Sequence, residues 1–217
     1  MIQGTRILEG TEAKAYQQTI DTLRGVLLKA GYEEIVFSSL WEQDTFIKRA
    51  GQEITNQMYV LDDKDGRPIC LIPEVTAVVE DMWKEVWSKS KPHPFKIFYV
   101  ARCYRHEANP QEGRYREFTQ FGVEILGGEP IYPKLEINSI MAKCLKPFNL
   151  HYNLVPAVKR GLTYYTTDGF EVECPELGEQ KQVLGGGAYE SGIGFGIGID
   201  RLMLAMPKKL GGGNSVA

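Results

Sequence analysis

Histidine and cysteine are scarce: His93, His106 and His151, with Cys70, Cys103, Cys144 and Cys174, are all that 217 residues contain. The cysteines are far apart and none forms a Cys-x-x-Cys pair, so a zinc site is not expected and scattered reduced thiols are. His93 and His151 stand beside turns, and His106 alternates away from the face that carries Arg105. No Cys-His or Ser-His-Asp set for nucleophilic catalysis emerges. A basic excess is also missing. The 25 Lys and Arg against 28 Asp and Glu leave a formal net charge of −3, which argues against a general nucleic-acid coat but leaves room for a local basic site. There is no apolar run long enough to cross a bilayer and no charged-then-apolar leader after Met1. A cytoplasmic protein with no membrane partner is the expectation.

What is present suits one sizeable soluble domain, with 43% hydrophobic and 24% charged residues. Ile20, Leu23, Val26, Leu27 and Leu28 lie mostly at helical spacing, with Gly31 as a stop. Residues 33–43 read as a strand. Residues 58–74 read as a hairpin, two apolar runs around an Asp65-Gly66 turn. Helical spacing returns through Val75, Val78, Val79, Met82 and Val86. Two long strands, 95–107 and 116–127, are joined by a polar loop at 109–114. A helix at 133–148, strands at 168–174, 181–187 and 192–200, and a short helix at 201–206 complete the pattern. Long hairpin-connected strands with helices before and between them predict an α+β domain on an antiparallel sheet over residues 1–206. Residues 207–217, rich in glycine and small polar residues, predict a flexible tail.

The stretch "RCYRHEANPQEGRYREFTQFGVEILGG", residues 102–128, has two unlike faces. Strand alternation puts Arg116, Phe118, Gln120, Gly122 and Glu124 together, opposite Thr119, Phe121, Val123 and Ile125. The second set suits a core. The first presents a guanidinium, a ring, an amide, a gap and a carboxylate in series. A solvated face with cross-strand ion pairs is the ordinary explanation of such a strand. Three features argue for a ligand instead. Arg is used rather than Lys at 102, 105, 114 and 116, and its planar fork suits phosphate. The loop carries Arg114, fit for a clamp on an anion. Gly122 weakens the strand unless something approaches closely there, so it marks the expected gap for a substrate.

In "GIGFGIGIDRLMLAM", Ile193, Phe195, Ile197 and Ile199 alternate with Gly194, Gly196 and Gly198. One face is bare backbone, which predicts a flat ligand or another backbone against it. No GxGxxG occurs, so this is not a dinucleotide fingerprint. Asp200 is the expected N-cap of the following helix. Arg201 then opposes the helix dipole, a conflict that a nearby anion would resolve, although an ordinary surface arginine would also fit.

These two stretches resemble motifs 2 and 3 of class II aminoacyl-tRNA synthetases, specifically the histidyl-tRNA synthetase family. "GTRILEGTEA", "GYEEI", "MYVLDDKDG…PEVT", "RGLTYYTTDGFEV" and "GGGAY" add matches in the same chain order. The resemblance implies ATP and Mg²⁺ as cofactors. It places Arg105 on the α-phosphate, Glu107 and Arg114 on the triphosphate, Phe118 under adenine, and Arg201 closing the other side. It also implies Glu74, Thr76 and Gln120 around an α-ammonium group. Glu124 and Tyr165 would bond an imidazole, with Tyr189 nearby. Arg160 would stabilise charge where the carboxylate meets the α-phosphate. The catalytic set so implied is Arg105, Arg160 and Arg201. Carboxylate attack on phosphorus needs fixed positive charge and no general base, which suits a site rich in arginine.

The chain departs from the family at several points. No anticodon-binding domain is expected after Met206, and residues 128–160 read as too short for the usual insertion domain. Ile72 stands in place of arginine, Val75 of glycine, Thr163 of aspartate and Ala188 of arginine, and the motif 1 proline is missing near Ser38 and Ser39. The expected activity is ATP-dependent activation of histidine or a similar amino acid by a homodimer, with tRNA or a smaller molecule as acceptor. The alternative is a non-catalytic histidine sensor resembling the regulatory subunit of ATP phosphoribosyltransferase.

Overall fold

The computed structural model describes residues 1–49, 51–128, 131–159, 165–166 and 169–207. It begins with α1 (Gly10–Lys29), whose Tyr16, Ile20, Leu23 and Leu27 recur at intervals of three and four and are all buried. Gly31, at φ +80°, turns the chain out of the helix.

The next segment is not the single strand expected over 33–43. It divides into β1 (Glu33–Glu34) and β2 (Leu40–Glu42), after which α2 (Gln43–Arg49) and α3 (Gln52–Thr55) follow. The division has a plain cause. β1 pairs parallel with β5 (Phe95–Tyr104), whereas β2 leaves that sheet and pairs with β4 (Pro68–Leu71) in a second one. The expected hairpin forms between β3 (Val60–Asp62) and β4, and the small sheet has the order β2-β4-β3. Helical structure returns as expected in α4 (Thr76–Met82), continues through a π-helical turn (Trp83–Trp87) and ends in the short α5 (Ser88–Ser90).

β5 and β6 (Glu117–Leu126) pair antiparallel along their full length, with Arg102 opposite Thr119 and Tyr99 opposite Gly122. Helix α6 (Ile131–Leu145) precedes β7 (Asn153–Val158), a strand not anticipated. Its exposed, Pro156-containing sequence lacks the alternating apolar pattern that marks a half-buried strand, as an edge position allows. β8 (Gly169–Glu173), β9 (Gln182–Tyr189), β10 (Gly192–Gly198) and α7 (Ile199–Ala205) follow. The large sheet has the order β1-β5-β6-β10-β9-β8-β7. The expected α+β class therefore holds, but the sheet is mixed because of β1.

The two faces of β6 divide the work as their alternation implies. Phe121, Val123 and Ile125 join one core with α1, α6 and α7, through Leu23, Ile137 and Leu202 among others. On the opposite face Ile97, Tyr99, Ala101 and Cys103 of β5 join a second core with Val78, Val79 and Trp83. That second core covers only part of its face. The remainder is a cavity.

Candidate functional site

The cavity, about 530 Å³, opens on β6, β8, β9 and β10 and is bounded by the β5–β6 loop and α7. Arg105, Glu107, Arg114 and Arg201 line it together with Phe118, and Glu74, Thr76, Gln120 and Tyr165 line it elsewhere. Nine of the twelve expected site residues thus line one cavity. Arg160 lies outside the described residues. Glu124 and Tyr189 do not line the cavity but sit beneath its floor.

At the loop end, Arg105 Nε donates to Pro73 O at 2.8 Å, and its guanidinium lies 5.3 Å from the centre of the Phe118 ring. Glu107 accepts from Arg114 Nε and from the Asn109 amide, and these bonds together outweigh its partial desolvation and lower its pKa. Arg201 Nε donates to Gly113 O at 3.1 Å, Nη1 to Gln182 O at 2.9 Å and Nη2 to Gln180 Oε1 at 3.0 Å. All three acceptors are neutral. Among the described residues neither Arg105 nor Arg201 has a carboxylate within ion-pair distance. Burial, then the charges of Arg114 and Arg105, push the Arg201 pKa down. Three guanidinium groups thus face one end of the cavity.

At the other end, Glu74 accepts from the Thr76 and Ala77 amides, both at 2.9 Å, and so anchors the start of α4. Gln120 accepts weakly from Cys103 Sγ and donates to Tyr99 OH at 3.4 Å. Beneath them Glu124, 1% exposed, is held by Tyr189 OH at 2.8 Å, Thr76 Oγ1 at 3.0 Å and Tyr99 OH at 3.4 Å. Burial outweighs these bonds and, with the charge of Glu74 adding to it, pushes Glu124 up to about 8. Tyr165 is joined to Tyr189 by a β-bridge, and the Thr166 amide donates to Ala188 O at 3.0 Å.

Three expectations need correction. Gly122 is not an open gap for substrate: a Cβ there would fall 1.9 Å from Tyr99 Cζ, so the missing side chain makes room for that ring. The bare face of β10 is only partly open to a ligand: Gly196 and Gly198 line the cavity and Gly194 does not. A Cβ on Gly194 would meet Glu124 Oε2 at 1.6 Å and one on Gly196 would meet Gln120 Nε2 at 2.6 Å, so these glycines admit the protein's own carboxylate and amide. Asp200 does not cap α7, whose N-cap is Gly198. Its carboxylate instead accepts from the Thr119 amide at 3.2 Å and pairs with Arg6. Reading the glycines one strand at a time hid the cross-strand partner in each case.

Several lining residues were not anticipated: Gln57, Tyr115, Glu171, Glu173, Gln180 and Gln182. Glu171 and Glu173 share a strand face in "GFEVEC", a signal that alternation could have supplied. Among the described residues no group of three or more His, Cys, Asp and Glu side chains is placed to hold a metal ion, and no helix is long and apolar enough to cross a membrane.

Comparisons with known proteins identify the family and the fold. A model of the family Histidyl-tRNA synthetase matches residues 4–151. The histidine–tRNA ligase of Archaeoglobus fulgidus is 35% identical over 152 residues, 70% of this chain and 37% of the relative, so the alignment spans well under half of that protein. The structure of apo S. aureus histidyl-tRNA synthetase superposes with a TM-score of 0.79 at 25% identity, covering 94% of this chain and 69% of that one. A Bacillus halodurans C protein described as an ATP phosphoribosyltransferase regulatory subunit/histidyl-tRNA synthetase shares the fold, with a TM-score of 0.79 at 16% identity, covering 94% of this chain and 82% of the other.

Proposed function

The chain belongs to the histidyl-tRNA synthetase family, and from that premise we propose that it activates histidine by joining the amino acid's carboxylate to the α-phosphate of ATP. The observation that carries the reading is the convergence of Arg105, Arg114 and Arg201 on one cavity beside Phe118, with Arg201 donating only to neutral oxygens. Such a cluster is costly without an anion and becomes favourable with a triphosphate. Phe118 offers adenine a ring face. Mg²⁺ would arrive on the phosphates, since it commonly needs only one or two protein carboxylates. Glu171, which lines the same cavity, would be such a carboxylate.

In this reading a carboxylate oxygen of histidine bonds to the α-phosphorus as the bond to the β-phosphate oxygen breaks. Pyrophosphate departs with the electron pair, and no proton moves. The arginines stabilise charge on the phosphoryl oxygens. Glu74, Thr76 and Gln120 would receive the ammonium group. Tyr165, with Glu124 and Tyr189 below, would present oxygens to the imidazole. Arg160 would act at the reacting carboxylate. The acyl acceptor is a tRNA end or a smaller nucleophile, the working unit is a homodimer, and the setting is the cytoplasm.

One observation favours a second reading, a histidine sensor without chemistry. Ile72, 1% exposed, stands where the family sequence has arginine, so a buried apolar side chain replaces a cation of that motif. Histidine-dependent ATP–pyrophosphate exchange, run across an amino-acid panel, decides between the two. Exchange with histidine, lost in Arg160→Ala, is the expected result. Histidine binding by calorimetry without any exchange would replace the first reading with the second.

A further inference from the structure

Residues 1–9 lie before α1 and run along the outside of the β5–β6 loop. Gly4 O accepts from the Arg116 amide at 2.8 Å. Gly4 has φ +82°, and a Cβ there would fall 2.8 Å from Pro110 Cγ and 2.9 Å from Arg116 Cγ, so backbone meets loop with no space for a side chain. Two residues on, the Arg6 guanidinium lies 4.5 Å from the centre of the Tyr115 ring and pairs with Asp200. Its other amino group is 3.7 Å from Glu12.

Asp200 is 5% exposed, yet it contributes to the lining of the anion cavity and directly precedes Arg201. A carboxylate in that place works against a polyphosphate. Its Oδ2 is occupied by the Thr119 amide and its Oδ1 by Arg6, so Arg6 supplies the counter-charge that the cavity's own arginines do not. Glu107, a second carboxylate lining this end, is matched in the same way by Arg114. Arg6 itself does not line the cavity, whereas Tyr115 and Asp200, which it touches, both do.

We infer that Arg6 is a positioning residue for the triphosphate subsite, neutralising Asp200 and fixing Tyr115 so that the Arg114 loop stands over the phosphates. The inference rests on the ATP-dependent reading of the cavity and deepens it. Arg6 touches nothing at the amino-acid end, so its effect is confined to ATP. A purely structural strap would disturb both substrates alike.

The test is ATP–pyrophosphate exchange with KM measured separately for ATP and histidine. Arg6→Ala raises the ATP KM about tenfold and leaves that for histidine within about twofold, as loss of a partly buried charge-assisted bond at one subsite predicts. Arg6→Lys, which keeps the charge but not the planar stack on Tyr115, recovers part of the loss. Arg6→Ala combined with Asp200→Asn recovers most of it, because the unmatched carboxylate is gone while an amide oxygen remains for the Thr119 amide. Equal rises in both KM values, or a double variant no better than Arg6→Ala, overturn the inference. If the unaltered chain gives no exchange, the adenylation reading fails by itself, and the same variants are compared by calorimetric ATP affinity with the same expected ratios. An unaltered chain that binds no ATP overturns both.

Discussion

Tyr189 donates its hydroxyl hydrogen to Glu124 Oε2 at 2.8 Å inside the large sheet, from β9 across β10 to β6. The bond can span β10 because Gly194 lies between the two and has no Cβ. Three strands thereby hold one carboxylate whose second oxygen is taken by Thr76 and Tyr99.

That carboxylate makes the stability of the empty protein depend on pH. Glu124 sits near 8 when folded and returns to the ordinary glutamate range when unfolded, so between those values the folded chain binds the extra proton. Its contribution is complete at low pH and is lost as pH rises through about 8. The melting temperature of the unliganded protein should therefore fall from pH 5 to pH 8.5 more steeply than that of Glu124→Gln, which has no proton to lose. Parallel curves for the two proteins would refute the linkage.

Removing the Tyr189 hydroxyl tests the same bond from the other side. Tyr189→Phe keeps the ring and leaves Glu124 Oε2 without that donor, a loss of about 1–3 kcal/mol for a buried bond. Under the proposed function, histidine affinity should drop roughly tenfold. ATP affinity, set at the Arg201 end of the cavity, should not change. Chemical denaturation and paired titrations separate the two effects.

Much of this was legible in the sequence. The alternation of β6 placed Phe118, Gln120 and Glu124 on one face and the apolar Phe121, Val123 and Ile125 on the other, because side-chain direction in a strand is fixed by count alone, whereas Arg116 lies before the strand and turns toward Gly4. What could not be read was occupancy across strands. Gly122 and Gly194 are both openings in a one-strand view, but register decides that Tyr99 fills the first and Glu124 the second. The parallel pairing of β1 was equally hidden, since two residues carry no periodicity. Arg6 matched a family stretch, but its partner Asp200 lies 194 residues away.

The Gly122–Tyr99 fit makes its own prediction. Gly122→Ala drives a methyl group into the Tyr99 ring and should destabilise the fold by about 3 kcal/mol or more, since the ring is fully buried and cannot move aside. Tyr99→Leu in the same chain removes the clashing ring atoms, so the double variant should be more stable than Gly122→Ala alone. If the two losses simply add, the glycine is there for another reason. Thermal unfolding of the four proteins settles it.

Arg201 offers the sharpest distinction between charge and shape at the phosphate end. Its three bonds reach Gly113 in the loop, Gln182 on β9 and Gln180 before it, so one planar group ties α7 to two other segments. Lysine carries the same charge but is a single point that cannot span three acceptors in different directions. If charge alone served the cavity, Arg201→Lys would keep ATP binding. The geometry predicts otherwise: Gly113 O loses its donor, the loop bearing Arg114 loses one of its anchors, and amide hydrogen exchange across residues 111–116 speeds up. ATP affinity should then fall about tenfold, close to the loss in Arg201→Gln, because both variants break the same three-way tie.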